Sequence, residues 1–319
     1  MSKEKKEFKT LCGGQALIEG IMMRGPKKQA IVVRKPDGTL SVQEKELKLI
    51  KDKFPLLGLP FLRGAVTFLD AQFSGIAALM YSAEFMPEEE EIQPSKWEIW
   101  LEQKLGSQGL TKLVTYFAVF LSFCLSMGLF FVLPTFLGSI TLQFTESQLV
   151  RNIAESTIKV IIFIAYLAFC SKMPDIRRTF QYHGAEHKTI FCYEKGLPLT
   201  LENVKEQPCH HPRCGTSFLF FVIFISILIS AVVYHFYPVH QLLFRLGANI
   251  CMLPFVVGIS YECNRFLGRH DKNPFCRFFM TPGLWLQNFT TYEPEDGMIE
   301  VGIHALKLVL PEKEGEDSW

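Results

Sequence analysis

Long uncharged hydrophobic runs dominate the middle of the chain. Leu113 to Thr145 contains no Asp, Glu, Lys or Arg, which exceeds the roughly 20 apolar residues that a helix needs to cross ~30 Å of hydrocarbon. Three later runs have a similar character. Glu155 and Lys159 then fall at a membrane interface, where a lysine can snorkel to the headgroups. We predict about four transmembrane helices, over 113–133, 153–171, 215–234 and 246–261.

The connections between these spans differ sharply in charge. Pro134 and Gly138 predict that the first helix ends near the far interface. The segments before the first span, between the second and third, and after the fourth carry 17, 7 and 6 lysines and arginines, whereas the other two connections carry only Arg151 and Arg245. Cytoplasmic loops carry such an excess. We therefore predict a multi-pass protein of the cell membrane with both termini and the 172–214 connection in the cytoplasm.

The region before the spans has three parts. Residues 1–53 are predicted to form a cytoplasmic β-rich region, because the β-branched run at 30–33 precedes Pro36-Asp37-Gly38, a turn signal between two extended runs. Residues 54–86 form an apolar helix or re-entrant segment, and Arg63 and Asp70 would share one helical face. An interfacial helix, a re-entrant hairpin and a buried helix of the soluble part all fit this pattern. Residues 87–112 form a linker with an acidic run.

Together these elements predict a mainly α polytopic membrane protein with a small β-containing cytoplasmic N-terminal region. The transmembrane domain covers 113–263, and 264–319 form a cytoplasmic C-terminal region in which the alternation from Glu300 to Leu310 favours a short strand. Hydrophobic residues make up 49% of the chain and long uncharged stretches recur in its middle, which argues against a water-soluble fold. The net charge of +1 gives no reason to expect nucleic acid as a partner. The nine cysteines are an odd number without disulfide-framework spacing, which favours reduced thiols.

His183-Gly184-Ala185-Glu186-His187 is the strongest local signal for chemistry, since it matches the His-x-x-Glu-His arrangement of inverted zincins. Pro174 suits the start of a helix that would place both histidines one turn apart on one face. Two such imidazoles can hold one zinc ion, or another divalent transition metal, and Glu186 could act as general base on a water molecule. The alternative is a metal-free histidine pair at the membrane surface.

A second group of donors occurs at 209–214, in the same predicted compartment. Cys209-His210-His211-Pro212-Arg213-Cys214 supplies two thiols and two imidazoles, of which His211 and Cys214 are the preferred further ligands. A purely structural zinc clip would explain this cluster equally well. Glu262 is the candidate carboxylate ligand, and an ion pair with Arg265 is its plain alternative.

Four segments together resemble the YqhQ-like family of bacterial membrane proteins, which are described as predicted metal-dependent enzymes without an agreed substrate. They are Gly13 to Gly25, Tyr182 to Lys188, His211 to Leu219 and Pro282 to Gln287. The resemblance covers roughly Phe8 to Leu310. It implies a protein of the bacterial inner membrane and a metal site that uses His183, Glu186, His187, His211 and Cys214. Tyr292 stands where the family pattern has an arginine.

The sequence therefore favours a membrane-embedded, metal-dependent hydrolase whose site faces the cytoplasm. Its position at the lipid bilayer favours lipid-linked molecules or membrane peptides as substrates. The competing hypothesis is a non-catalytic, metal-stabilised scaffold or transporter component. The two differ in the coordination of the ion, because a catalytic metal keeps an open position and a structural metal is enclosed by protein. The oligomeric state stays open, a homo-oligomer included.

Overall fold

The architecture was obtained as a computed structural model that describes residues 8–47, 55–86, 97, 100, 104–144, 147–239, 241–313 and 315–317. It is mainly helical with one small N-terminal sheet, as predicted. The acidic part of the predicted linker and the boundary at 53–54 lie outside the described residues. Two compact units are present: one comprises 1–86, 166–226 and 253–319, and the other comprises 87–165 and 227–252.

The sheet is an antiparallel meander in sequence order. Its strands are β1 Gly13–Leu17, β2 Gly20–Arg24, β3 Lys28–Arg34 and β4 Leu40–Glu46. The predicted turn at Pro36-Asp37-Gly38 connects β3 to β4, where the Asp37 carboxylate accepts hydrogen bonds from the N–H and hydroxyl of Thr39. Gly38 adopts φ +82°, a left-handed conformation that glycine enters at little cost.

The helices of the described chain are, in order, α1 Leu62–Ala83, α2 Ser107–Met127, α3 Leu133–Ile140, α4 Gln148–Cys170, α5 Pro174–Glu194, α6 Leu201–Lys205, α7 Gly215–Phe236, α8 Leu242–Arg269, α9 Pro274–Thr290 and α10 Asp296–Val309. Short 3₁₀ turns occur at Pro55–Gly58 and Thr141–Gln143, and a π-helical turn occurs at Gly128–Val132.

Four segments of the described chain are long and apolar enough to cross a membrane: Leu113–Ile140, Gln148–Cys170, Gly215–Phe236 and Leu242–Arg269. Each covers one of the four predicted spans, apart from residue 171 of the second, and each extends beyond the predicted bounds. The prediction that the first helix ends at Pro134 is wrong, because the helix continues to Ile140. Pro134 lies in the first turn of α3, directly after the π-helical turn, where its missing N–H costs little.

The N-terminal sheet carries a core on each face of its central strands. Ile21 and Val32 belong to the cluster that includes residues of α5 and α10. Met22 and Ile31 belong to the opposite cluster, which includes Ala78 of α1. This alternation follows from the two-residue period of a strand. The sheet therefore lies between α1 on one side and α5 with α10 on the other.

The predicted strand at Glu300–Leu310 is wrong, because these residues belong to α10. Met298, Val301, Ala305 and Val309 are buried at spacings of three or four residues, which is the period of an amphipathic helix. Packing of this helix against β2, β3 and α5 therefore outweighs the local alternation of polar and apolar residues, which on its own favours a strand.

The second unit contains a buried polar network between its helices. Glu155 accepts a hydrogen bond from Arg245 at 2.8 Å and another from the Thr135 hydroxyl at 2.9 Å. The Arg245 guanidinium also lies 3.8 Å from the ring centroid of Tyr234. Glu155, which the sequence predicts to lie at a membrane interface, is buried within the protein and paired. An ionic group in a membrane-spanning helix needs such a partner, so the network links α3, α4 and α8 within this unit.

Candidate metal centre

Helix α5 begins at Pro174, as the sequence predicts, with Asp175 in its first turn. Proline is favoured at the first helical position, and an acidic residue there complements the helix dipole. His183 and His187 consequently lie one turn apart with their ring centroids separated by 4.4 Å. From Tyr182 onward most of the helix is buried; His187 is buried and His183 is half-buried.

Gly184 permits a close approach of another segment to this helix. A Cβ atom at this position would lie 2.0 Å from the carbonyl oxygen of Tyr292, a distance that no side chain can occupy. Glycine inside a helix costs about 1 kcal/mol relative to alanine. The segment that follows α9 can therefore cross α5 directly beside His183, and this packing is the physical reason for a glycine within the motif.

Backbone carbonyl groups orient both imidazole rings. The Nδ1 atom of His183 lies 2.8 Å from the carbonyl oxygen of Thr290, and the Nδ1 atom of His187 lies 2.5 Å from that of Cys209. A carbonyl oxygen only accepts hydrogen bonds, so each Nδ1 donates to it, and Nε2 is the ring nitrogen left to bind a metal. Histidines that bind metals in proteins are held in the same way.

Cys214 supplies the third donor from the residue before α7. Its Sγ lies 3.2 Å from Nε2 of His183, and the ligand atoms of His183, His187 and Cys214 all lie within 4.8 Å of one another. Zinc bonds of about 2.0–2.3 Å in a tetrahedron would separate neighbouring ligand atoms by about 3.5 Å. Two imidazole nitrogens and one sulfur therefore converge at a spacing suited to one ion.

Burial and neighbouring groups keep these donors in the forms that bind metals. Burial lowers the pKa of His187 to about 4, so its ring is neutral at pH 7. Burial alone would raise the pKa of the Cys214 thiol, but interactions with His187 and with Thr216 outweigh it and lower that pKa. The start of α7 at the next residue further favours a thiolate.

Only one carboxylate oxygen of Glu186 has a hydrogen-bond partner among the described residues. Its Oε1 accepts a hydrogen bond from the backbone N–H of Gly14 at 2.9 Å. Its Oε2 is buried and has no hydrogen-bond partner among the described residues. Burial raises the pKa of this carboxyl to about 7, while His183 and the Gly14 N–H oppose the shift. A buried oxygen without a partner is rare, and Glu186 lines the same cavity as the three candidate ligands.

These groups line a cavity of about 130 Å³, which also borders residues 10–14, Ile190, His211 and Arg213. A water molecule occupies about 30 Å³ in the liquid. The cavity therefore has room for water and for the reacting part of a larger molecule.

His211, a predicted ligand, lies on the wall of this cavity but outside the group of three converging donors. Its Nδ1 accepts the backbone N–H of Arg213 at 3.3 Å, and its Nε2 is 3.5 Å from Glu194. The amide of Gln287 binds both the N–H and the carbonyl of His211, each at 2.8 Å. Its backbone and ring are thus both engaged by protein.

Glu262, the predicted carboxylate ligand, is not brought into the cluster. It accepts two hydrogen bonds from Arg63, at 2.7 and 2.5 Å. A planar guanidinium and a carboxylate form such bidentate pairs readily. The alternative suggested by helical spacing was an ion pair between Glu262 and Arg265. Glu262 pairs with Arg63 instead, and spacing within α8 could not predict that α1 packs against it.

The remaining donors of the 209–214 segment have separate positions. His210 is exposed, and the thiol of Cys209 lies 3.2 Å from Glu293. The carbonyl of Cys209, rather than its side chain, reaches the site through His187. Sequence reasoning missed this carbonyl and that of Thr290, because backbone groups leave no residue-type signal. Gly14 and Gln287 do lie in two of the segments that carry the family resemblance.

Comparison with known proteins gives the following matches. The family described as "Protein of unknown function (DUF1385)" matches residues 59–312. "Uncharacterized protein YqhQ" of Bacillus subtilis (strain 168) is 35% identical over 303 residues, which cover 93% of this chain and 92% of that protein. No solved structure matches.

Proposed function

The chain belongs to the DUF1385 family, which includes relatives of YqhQ, and we propose that it is a membrane-embedded, metal-dependent hydrolase. His183, His187 and Cys214 hold the metal, zinc or another divalent transition metal, and Glu186 is the general base. One observation carries the proposal: Glu186, whose Oε2 is buried without a hydrogen-bond partner among the described residues, lines the same cavity as the three converging donor residues.

The donor set favours a catalytic ion over a structural one. Catalytic zinc sites use three protein ligands and leave a fourth position to water, whereas structural sites are closed by four. Three donors converge among the described residues, and the cavity provides space beside them. The nearest further imidazole, that of His211, is engaged by Glu194 and Arg213.

Glu186 has the properties of a general base at neutral pH. A base works best when its pKa lies near the operating pH, and burial raises this pKa to about 7. The Gly14 N–H holds one carboxylate oxygen, so the other is the atom that takes a proton from the attacking water and returns it to the leaving group. Bound zinc would supply a lower pKa for that water, to about 7.

The proposed substrate is a lipid-linked molecule or a membrane peptide. The four apolar helices make this a membrane protein. Helix α5, which carries His183 and His187, begins shortly after the span that ends at Cys170, and Cys214 directly precedes the span Gly215–Phe236. The charge distribution of the sequence supports a bacterial cell membrane location with both termini and the site on the cytoplasmic side.

The competing function is a metal-stabilised scaffold or transporter component without catalysis. The burial of His187 and Cys214 favours it, because a structural site is enclosed by protein. In that case His211 or another residue would complete the coordination, and Glu186 would have no chemical role.

Cobalt substitution of the full-length protein in detergent distinguishes the two. Co²⁺ bound to Cys214 should give a thiolate charge-transfer band that disappears in Cys214→Ser. Azide should then shift the visible bands if a coordination position is open to solvent, in the wild type and in Glu186→Gln alike. Spectra that azide leaves unchanged would favour the closed, structural site and contradict the hydrolase.

A further inference from the structure

Helix α9, which follows the last candidate span, has three distinct faces. Cys276, Met280, Gly283 and Gln287 are buried along one side. A second side is exposed and polar, with Arg277, Thr281 and Asn288. A third side is exposed and aromatic: Phe275, Phe278 and Trp285 have exposed fractions of 69%, 73% and 49%. Such a division is typical of a helix that lies in the plane of a membrane surface.

Helix α1 has a similar exposed stripe. Its members lie three, four or seven positions apart and hence on one face; they are Leu62, Leu69, Phe73, Ile76 and Met80, with exposed fractions from 47% to 73%. The two charged groups near its other faces are used within the protein, since Arg63 binds Glu262 and Asp70 binds Arg24. The stripe itself carries no charge.

Chain connectivity places α9 near the end of a candidate membrane span. Helix α8 has 28 residues and is about 42 Å long at 1.5 Å per residue, longer than the ~30 Å hydrocarbon core. Its charged residues are concentrated in the last turns, from Glu262 to Arg269. Only four residues separate Arg269 from the start of α9 at Pro274.

Helix α1 is attached to the same end of α8. Arg63 forms its bidentate pair with Glu262. A Cβ at Gly64 would lie 2.7 Å from the Cβ of Tyr261, so the first turn of α1 lies directly against α8. Its apolar stripe therefore begins close to the level at which α8 leaves the hydrocarbon.

The charge around the junction of α8 and α9 is complementary to anionic lipid. Arg269 and Arg277 are exposed there, and the Asp271 carboxylate is paired with Lys9. Basic residues beside a membrane surface are attracted to anionic headgroups. Aromatic rings next to such residues are characteristic of the interfacial layer.

We propose that the exposed apolar stripes of α1 and α9 lie in the interfacial layer of the lipid bilayer, as two helices that contact lipid without crossing it. This inference stands apart from the proposed hydrolase, since it uses no property of the metal. It also places the candidate site relative to the bilayer surface, because the carbonyl of Thr290 at the end of α9 is hydrogen-bonded to the ring of His183. The cavity then lies near the headgroups, where the polar ends of lipid-linked molecules are found.

Site-specific photo-crosslinking tests this placement. Photoreactive benzoylphenylalanine replaces Phe73 or Phe278 in the stripes, and Thr67 or Thr281 on exposed polar positions of the same helices as matched controls. The full-length protein is reconstituted in vesicles of phosphatidylcholine and phosphatidylglycerol and irradiated. We expect several-fold more lipid adduct at Phe73 and Phe278 than at the two controls. Trp285 serves as a second stripe position if the variant at Phe278 elutes as aggregate.

Three results would overturn the inference. A crosslinked dimer at Phe73 or Phe278 would show that a second copy of the chain covers the stripe. An adduct with another protein, on irradiation of intact cells, would show a protein partner instead. Equal lipid capture at Phe278 and Thr281 would show that α9 is immersed in the bilayer or distant from it. None of these readouts depends on metal, so failure here leaves the cobalt experiment unaffected.

Discussion

The backbone N–H of Gly14 donates a hydrogen bond of 2.9 Å to Oε1 of Glu186, which joins the first strand of the sheet to the helix that carries the candidate ligands. This bond holds one carboxylate oxygen, and Oε2 is left without a hydrogen-bond partner among the described residues. The N-terminal sheet is therefore part of the site, although it contributes no side chain to the cluster of three donors.

Gly14→Ala should disturb both packing and the carboxylate. The new Cβ would lie 2.6 Å from the carbonyl oxygen of Met22 and 3.1 Å from Cδ of Glu186. Overpacking of this kind costs about 1–3 kcal/mol, so the thermal midpoint should fall. Gly13→Ala is the matched control, because nothing lies within 4 Å of its Cβ. Equal midpoints for the two variants would argue against the close contact.

Gly184→Ala should destabilise the protein although alanine is the better helix former. Propensity alone predicts a gain of about 1 kcal/mol, but the Cβ would collide with the Tyr292 carbonyl. We expect a net loss of at least about 1 kcal/mol. Gly247→Ala in α8 has open space around its Cβ and should not be destabilising. A higher thermal midpoint for Gly184→Ala than for the wild type, measured in detergent, would contradict the close contact between Gly184 and the Tyr292 carbonyl.

Glu186 should make the metal-free protein less stable as the pH rises. Its pKa is about 7 in the folded protein and ordinarily 4.5. Between these values the folded state keeps a proton that the unfolded chain has lost, so stability is full below pH 4.5 and falls as the pH passes through 7. The difference corresponds to about 3 kcal/mol.

The comparison with Glu186→Gln isolates this contribution. His187 acts in the opposite direction, since its pKa is lowered from 6.5 to about 4 and its stabilising effect is lost as the pH falls through that range. It is present in both proteins and cancels. With chelator present, the stability of the glutamine variant relative to the wild type should increase as the pH rises from 4.5 to 8. A pH-independent difference between their unfolding midpoints would count against the buried carboxyl.

Glu262→Gln should leave metal binding unchanged. The carboxylate pairs with Arg63, and both side chains are partly exposed, so the pair contributes no more than about 1 kcal/mol. The doubly reversed variant Arg63→Glu/Glu262→Arg should recover part of what each single reversal loses. A lower metal content in Glu262→Gln than in the wild type would indicate that Glu262 is a metal ligand.

Elements with a strong local signal could be predicted from sequence, because a long apolar run or a turn motif is compatible with few kinds of secondary structure. The four spans and the β3–β4 turn are of this kind. Features that depend on tertiary approach could not be predicted. The continuation of the helix through Pro134 depends on a π-helical turn before it, and α10 is helical because of its packing against the sheet.

The candidate site divides in the same way. His183, Glu186, His187 and Cys214 carry recognisable side chains, so their sequence spacing was sufficient to propose them. The carbonyl of Cys209 and the N–H of Gly14 could have come from any residue type. His211 and Glu262 were plausible by chemistry, but their partners Glu194 and Arg63 are distant in sequence, and only the fold brings them close.

Metal analysis of the purified full-length protein tests the central proposal most directly. We expect near-stoichiometric zinc or another divalent transition metal in the wild type and in His210→Ala, whose exposed ring lies in the same segment as Cys214. The double variant His183→Ala/His187→Ala, and Cys214→Ser separately, should lose most of it. The same metal content in the wild type and the double variant would contradict the proposed site.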